Sequence, residues 1–444
     1  MKATQISTLF NNTAVFLNSK HIPVQPDTGQ ERNLLNLYPH IQYQSIDSFG
    51  GAITDAVAAT LEKMPKQLAR EVMDAYFGPD GIGYQSIRTH IDSCDFSTEQ
   101  YAAVNDPLDH DFRHFSLEHD LRRNIRWIKE AYRSAGKPLP VILTPWSPPA
   151  FMKTNHSRIG GGHLKKEYYA AWAHYLCRYI QSYQEQEIQV QALTIQNEPN
   201  AVQTWDSCLF SAEEERLFLL DYLYPCLIKN HLEHIEIYIW DHNKERLFDR
   251  AEAVLTEQAL PIVTGAAFHW YSGDHFDALR LVREHFPGIK LISSESCIEY
   301  SRFDANQLKH AQLYGHDMIG NLAAGMNMFL DWNICLDEHG GPNYVGNYCH
   351  APVICHVQEQ RLSYQLSFHY ISHFSRFIQP FARRIASTVY TDVLEQVAFQ
   401  NPDQSIVIVI QNQSKEALPL TIRINGQLLS VSILAESITT VALA

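Results

Sequence analysis

Between about residue 44 and residue 335, short apolar runs alternate with longer amphipathic segments, and this alternation restricts the fold more than any other feature of the chain. The runs are Ser45–Phe49, Gly83–His90, Pro140–Pro145, Val190–Gln196, Ile235–Trp240, Val263–His269, Lys290–Ser294 and Met326–Trp332, eight in all. Apolar runs this short, bounded by turn residues, read as buried strands. Between two of them, Leu117–Ala135 carries Leu117, Leu121, Ile125, Ile128 and Tyr132 at three- and four-residue spacing, the stripe of an amphipathic helix. Ser211 and Glu214 form an S-x-x-E capping box, which satisfies free amides at a helix start. Pro65 and Pro225 mark places where helices restart or stop. A further helical stretch over Glu359–Phe377 would close the ring after the eighth strand. Eight strand–helix repeats predict a (β/α)8 barrel of the α/β class. A doubly wound sheet is the structural rival, but no GxGxxG follows any strand, and the Gly-rich phrase from Gly78 to Gly83 reads as a turn.

After about Gln379 the period changes. Thr388–Thr391, Val397–Gln400, Ile406–Gln411, Leu418–Ile424, Leu428–Ile433 and Ile438–Ala442 are short alternating strands, and Asn425-Gly426 is a strong hairpin signal. The first residues also hold a strand-like piece, Thr13–Leu17. The expected organisation is N-terminal strands over 1–40, a catalytic barrel over 41–378 and a C-terminal β-module over 379–444, with the N-terminal strands completing a β-sandwich.

Composition removes several function classes. A net charge of −14 opposes a nucleic-acid groove, whose phosphate contacts need clustered Lys and Arg, and it would be repelled by an anionic membrane surface. No apolar run approaches the roughly 18 residues of a membrane span, and the N-terminus lacks the apolar stretch of a signal peptide, so a cytoplasmic protein is expected. The eight cysteines are scattered without a CxxC and read as free thiols. His110 and His114 have the i, i+4 spacing of helix-borne metal ligands, but no Cys or HExxH pattern supports a metal there. No G-x-S-x-G occurs for a serine hydrolase.

In such a barrel the chemistry sits at the C-terminal ends of the strands. The fourth run leads into Asn197-Glu198-Pro199 and the seventh into Glu295, two carboxylates facing each other across the barrel mouth. Glycoside hydrolysis needs such a pair, one to protonate the leaving oxygen and one to act at the anomeric carbon. Asn197, directly before Glu198, suits a hydrogen bond to a sugar 2-hydroxyl. Taken singly, either glutamate could equally be a structural ion-pair partner.

These residues belong to a longer series: FGGAITDA from Phe49, SCDFS from Ser93, TPWSPPAFMK from Thr144, TIQNEP from Thr194, FHWY from Phe268, SESC from Ser294, DWN from Asp331 and GGPN from Gly340. In this order and at barrel spacing, the chain resembles glycoside hydrolase family 30, the glucosylceramidase-type family, over nearly its whole length. The resemblance implies a retaining, exo-type β-glycoside hydrolase, a β-glucosidase or glucosylceramidase-like enzyme working by double displacement on a β-linked glycoside or glycolipid, without a cofactor. It implies Glu198 as acid/base and Glu295 as nucleophile, with Arg88 pairing near the nucleophile. Asn197 would hold the 2-hydroxyl, Asp95 and Trp146 would take sugar hydroxyls, and Trp332 would stack on the sugar. Tyr271 would hydrogen-bond a catalytic carboxylate, Asn347 would contact hydroxyls or the loop, and His269 would serve as scaffold or substrate contact. β-Xylosidase, β-fucosidase and β-1,6-glucanase activities stay open within the same fold. A catalytically silent carbohydrate-binding protein is the alternative of another class.

Overall fold

Eight parallel strands close into a barrel in chain order: Ser48–Ala52, Ser86–Ile91, Val141–Pro145, Val190–Thr194, Glu236–Asn243, Gly265–His269, Lys290–Glu295 and Met328–Asn333, here called strands one to eight. The structure is a computed structural model and describes residues 1–444 except 12, 13, 30, 110, 111 and 303, with the backbone alone at 11 and 14. Strand one approaches strand two so closely that a Cβ on Gly50 would lie 2.2 Å from the Ser86 carbonyl oxygen. That contact is the physical need behind the Phe49-Gly50-Gly51 phrase, since only a residue without Cβ fits there.

Helices flank the strands with the local chemistry their sequences carry. Ser211 Oγ accepts from the Glu214 amide while the Glu214 carboxylate accepts from the Ser211 amide, completing the capping box. Pro225 lacks an amide hydrogen, and the helix after strand four widens into a π-turn over Leu219–Leu223 just before it. The expected helix Leu117–Ala135 is in fact two, Glu118–Arg122 and Asn124–Ala135, because Arg123 leaves helical dihedrals (φ −111°, ψ −95°). The break resets the helical phase, so Ile125 and Ile128 are buried but Leu121 is exposed. The expected helix over Glu359–Phe377 starts later, at Leu366. Its opening residues form strand Arg361–Tyr364, which pairs with Val353–His356 across a turn where Gln360 has φ +51° and the Glu338 carboxylate accepts from the Val357 amide at 2.9 Å.

The chain forms two compact units, one of Phe49–Phe303 with Phe329–Ser363 and one of Met1–Ser48 with Asp304–Met328 and Tyr364–Ala444. The second unit is a β-sandwich made from both ends of the chain. Its ten-stranded sheet runs from Ala14–Ile22 and Ala3–Asn11 through Ser437–Leu443, Ile406–Asn412, Leu394–Gln400 and Arg383–Val389. It continues through Leu34–Ser45, Leu418–Ile424 and Gln427–Ile433 to Val24–Pro26. Leu34–Ser45 is the joining strand, antiparallel to Arg383–Val389 on one side and parallel to Leu418–Ile424 on the other. It also explains why barrel strand one begins at Ser48 rather than Ser45. Leu35, Ile385, Ile408, Ile422, Leu429 and Val441 form the sandwich core. Asn425 and Gly426 both take positive φ, +48° and +72°, the geometry of a two-residue hairpin turn. The helices Gln307–Ala324 and Leu366–Ser375 belong to this unit, where His373 bridges Thr8 and Thr440 at 2.8 Å each. Among the described residues no helix is long and apolar enough to cross a membrane. Thr13 and His110 lie outside the described residues, and among those described no group of three His, Cys, Asp or Glu side chains could hold a metal ion.

Candidate active site

Arg88, in the middle of strand two, is fully buried, and its guanidinium organises the centre of the barrel mouth. Nη1 donates to Glu295 Oε2 at 2.7 Å, Nη2 donates to Asp241 Oδ2 and to Asn197 Oδ1 at 3.0 Å each, and Nε reaches Thr144 Oγ1 at 3.3 Å. A buried cation needs every donor matched, and a planar fork meets several acceptors at once where an ammonium would not. The four partners come from strands three, five and seven and from the loop after strand four, so this one side chain fixes their relative positions.

Asp241 was not legible as a site residue in the sequence. It is the extra residue of a β-bulge: strand six pairs Ala267 with Trp240 and then Phe268 with His242, skipping Asp241. Trp240 and Asp241 accordingly have φ of +73° and +56°. A bulge turns a side chain that strict alternation would place elsewhere. Strand seven has a matching irregularity, where Phe268 pairs with Ser293 and His269 with Glu295, leaving Ser294 over. The two bulged residues meet, Ser294 Oγ donating to Asp241 Oδ1 at 2.5 Å, while Thr194 Oγ1 donates to Oδ2 at 2.7 Å. Burial pushes the Asp241 carboxyl up, but Arg88 and His269 outweigh it and hold the group well below the usual carboxylate range.

Glu295 ends strand seven with both oxygens engaged, Oε2 by Arg88 and Oε1 by the Tyr271 hydroxyl at 2.9 Å. Burial pushes its carboxyl upward and the Glu198 charge adds to this, while His269 and Arg88 pull it down; upward is the net direction. Both donors keep their protons near neutral pH, since Arg88 is held cationic and burial pushes Tyr271 well above its ordinary value. Protonating Glu295 on Oε2 would cost the Arg88 hydrogen bond, and protonating it on Oε1 would require the Tyr271 hydroxyl to turn from donor to acceptor.

Glu198 sits in the loop after strand four with φ +44°, held by its amide on the Asp241 carbonyl at 3.0 Å and by the Asn197 amide on the Pro145 carbonyl at 2.9 Å. Its Oε1 is 3.3 Å from His269 Nδ1 and 3.9 Å from His242 Nε2. Burial raises the carboxyl, but the His269 hydrogen bond and the two imidazoles outweigh it, and the net direction is downward. The other ring nitrogen of His269 lies 3.1 Å from Asp241 Oδ1. Burial disfavours the imidazolium, yet Glu295, Asp241 and Glu198 together raise its pKa to about 9. Glu198, His269, Asp241, Arg88 and Glu295 thus form one unbroken chain of contacts.

Eight of the ten residues expected from the sequence line a cavity of about 260 Å³: Asp95, Trp146, Asn197, Glu198, Tyr271, Glu295, Trp332 and Asn347. Arg88 and His269 lie beneath it, touching residues that line it. Trp146 and Trp332 stack on each other with centroids 5.3 Å apart, and the Arg88 guanidinium lies over both rings at 4.9 and 5.2 Å. Asp95 does not cap its own turn; Ser97 does that through the Cys94 amide at 3.0 Å. Asp95 Oδ2 accepts from Asn347 Nδ2 at 3.2 Å, and its buried Oδ1 has no partner among the described residues. Gln203, Trp205 and His242 also line the cavity. No periodicity marked the first two, which lie in an irregular loop, while His242 follows the bulge. A larger groove of about 1090 Å³ between the helices at Leu61–Met73 and Arg122–Ser134 lies away from the strand ends and gathers none of these residues.

Comparison with known proteins identifies the family of the chain. The family model for the glycosyl hydrolase family 30 TIM-barrel domain matches residues 46–378, and that for the family 30 β-sandwich domain matches residues 382–441. The chain is 33% identical over 409 residues to the lysosomal acid glucosylceramidase of Mus musculus, covering 88% of this chain and 79% of that protein. It is 24% identical over 402 residues to an endo-1,6-β-D-glucanase of Neurospora crassa, covering 86% of this chain and 82% of that one. The crystal structure of SrfJ from Salmonella typhimurium superposes with a TM-score of 0.96 at 36% identity, covering 100% of this chain and 99% of that one. The chain therefore belongs to glycoside hydrolase family 30 and is a glycoside hydrolase.

Proposed function

We propose that the protein is a retaining, exo-acting β-glucosidase of glucosylceramidase type, with Glu295 as nucleophile and Glu198 as acid/base. The observation that carries the assignment is the asymmetry of their partners. Glu295 accepts on both oxygens from groups that keep their protons, contacts that favour its anionic form against the upward push of burial. Glu198 touches an imidazole whose proton can pass either way along the 3.3 Å His269 Nδ1–Glu198 Oε1 contact.

With its pKa raised to about 9, His269 holds that proton near neutral pH, and the anionic Glu198 helps push Glu295 upward. Moving the proton onto Glu198 produces the acid that the leaving oxygen needs. The same move neutralises the imidazolium together with the Glu198 carboxylate, so Glu295 then depends on Arg88 and the Tyr271 hydroxyl to stay ionised. Glu295 then attacks the anomeric carbon as Glu198 protonates the departing oxygen, giving a glycosyl ester on Glu295. Glu198, now a base, takes a proton from water, which attacks the same carbon and frees Glu295.

The Asn197 carboxamide oxygen is taken by Arg88, which leaves its amide hydrogens for the oxygen of a sugar 2-hydroxyl. Asp95 Oδ1, which has no partner among the described residues, supplies a polar contact for another hydroxyl, and Asn347 holds that carboxyl group in place. Trp146 and Trp332 form an apolar wall for the ring. A cavity of about 260 Å³ is small among ligand sites and supports one terminal sugar rather than a run of sugars. The glucosylceramidase relative supports a glucoside with a lipid aglycone as the natural substrate class.

The test is hydrolysis of aryl β-glucoside, β-xyloside, β-fucoside and β-galactoside, together with glucosylceramide in detergent, by wild type, Glu295→Gln and Glu198→Gln. Turnover of the glucosides, abolished by Glu295→Gln, supports the proposal. Preference for another sugar would replace the glucosidase reading while keeping the mechanism. Equal inactivity of all three proteins on every substrate would leave a sugar-binding protein.

A further inference from the structure

All eight cysteines are free, yet they are not scattered in space. Cys177, on helix Tyr169–Glu185, and Cys226, on helix Tyr224–Lys229, place their sulfurs 3.3 Å apart. A disulfide bond is about 2.05 Å long, so closing this gap needs a shift of little more than 1 Å. The pair differs from two other neighbouring thiol pairs, Cys297 with Cys349 and Cys335 with Cys355, in which every member is buried. Cys226 alone among the eight is partly open to solvent.

We propose that Cys177 and Cys226 are a peroxide-reactive thiol pair that closes to a disulfide spanning strand four. Cys226 is the attacking sulfur: it is accessible, it accepts from the Cys177 thiol, and Asn230 Nδ2 lies 3.5 Å away as a second donor. Those contacts stabilise a thiolate, the Cys177 hydrogen bond first and the Lys229 charge after it, and bring the Cys226 thiol down to about 7. Burial holds Cys94, Cys297 and Cys335 well above the ordinary thiol value, which keeps them inert toward the same oxidant.

The chemistry balances with hydrogen peroxide as the named oxidant. The Cys226 thiolate attacks one peroxide oxygen, forming S–O as O–O breaks, and the expelled hydroxide takes a proton to leave as water. Cys177 then attacks the Cys226 sulfenic sulfur; S–S forms, S–O breaks, and the hydroxide leaves as water with the Cys177 proton. Two thiols lose two electrons and one peroxide becomes two waters. The chain between the two cysteines contains strand four and the loop that carries Asn197 and Glu198. The bond therefore staples the helices on either side of that strand and restricts the unfolded chain across it.

The test treats the full-length protein with a small excess of hydrogen peroxide, blocks remaining thiols with iodoacetamide and maps the peptides without reduction. The expected result is one Cys177–Cys226 crosslink, a 2 Da mass loss, reversal by dithiothreitol, and a Tm higher by roughly 2–5 °C in the oxidised form. Cys226→Ser should retain its aryl-glycoside turnover and show neither the mass loss nor the Tm shift. The proposal is overturned if Cys177 and Cys226 stay alkylatable while other cysteines oxidise, or if Cys226→Ser forms a disulfide to the same extent. The wild-type peptide map decides by itself should the variant fail to fold.

Discussion

The Asp241 carboxylate lies 3.0 Å from the Arg88 guanidinium, and both side chains are fully buried. One oxygen of Asp241 is bound to the cation that holds Glu295, and the other to the imidazole that touches Glu198. Asp241 is therefore placed to act on both glutamates without touching substrate, which makes it a positioning residue.

Asp241→Asn keeps the shape and removes the charge. Among the described residues Arg88 is left with Glu295 as its one carboxylate partner at hydrogen-bond distance, and such a loss within a buried ion pair costs about 3 kcal/mol, measurable by urea unfolding. Removing a negative charge lowers the pKa of its neighbours, so both limbs of the kcat/KM profile should move to lower pH. A stability loss with both limbs unmoved would reduce Asp241 to a structural role.

The pKa of His269 is raised to about 9 by its three carboxylate neighbours against the opposing effect of burial. A group raised on folding contributes stability that is complete below its unfolded value near 6.5 and is lost as pH rises through the folded value. Urea midpoints should accordingly fall between pH 7 and about 9, by an amount on the order of 3 kcal/mol. Asp241 works in the other direction, contributing above the unfolded carboxyl value near 4 and losing that contribution only in stronger acid. The alkaline limb of kcat/KM should also fall near pH 9, because that is where the proton shared by His269 and Glu198 departs. In His269→Asn the limb should drop by a unit or more toward the carboxyl range; an unmoved limb would remove His269 from the proton path.

Tyr271→Phe deletes one of the two donors on Glu295 and leaves the ring in place. A hydrogen bond to a charged acceptor contributes about 1.5–3 kcal/mol, so kcat/KM should fall roughly 10- to 100-fold. With one donor gone, the acid limb should rise, because Glu295 then takes a proton more easily. A drop confined to thermal stability, with the limb fixed, would contradict the proposed support of the nucleophile.

The regions of the molecule legible in the sequence are those set by periodicity and by residues at regular strand ends. The eight barrel strands fall where the apolar runs lie, and Glu295 follows from its place at a strand end, whereas Arg88 came only from the family resemblance. Asp241 escaped because its inward aim comes from a bulge, and one extra residue in one strand leaves the hydrophobic pattern unchanged. The Arg123 break was hidden for a similar reason, since Leu121 and Ile125 keep helical spacing across a residue that is not helical. The Cys177–Cys226 approach joins helices from different repeats, which spacing along the chain does not encode.

Two glycines separate contact from conformation as reasons for the residue. Gly50 needs no special backbone angle, but a Cβ there would meet the Ser86 carbonyl oxygen at 2.2 Å and the Ser86 hydroxyl oxygen at 2.5 Å. The carbonyl belongs to the backbone of strand two and cannot rotate away, so Gly50→Ala has to push strands one and two apart. The expected cost is about 3 kcal/mol or more, with loss of glycosidase activity, because Arg88 lies on that same strand. Gly426 is the reverse: a Cβ meets nothing within 4 Å among the described residues, but φ is +72°. Gly426→Ala should therefore cost only about 1 kcal/mol, the penalty of a left-handed backbone for an L-residue, and leave turnover unchanged. Urea unfolding of the two variants beside wild type checks both numbers, and equal costs would mean that strand one can draw back from strand two without disturbing the barrel.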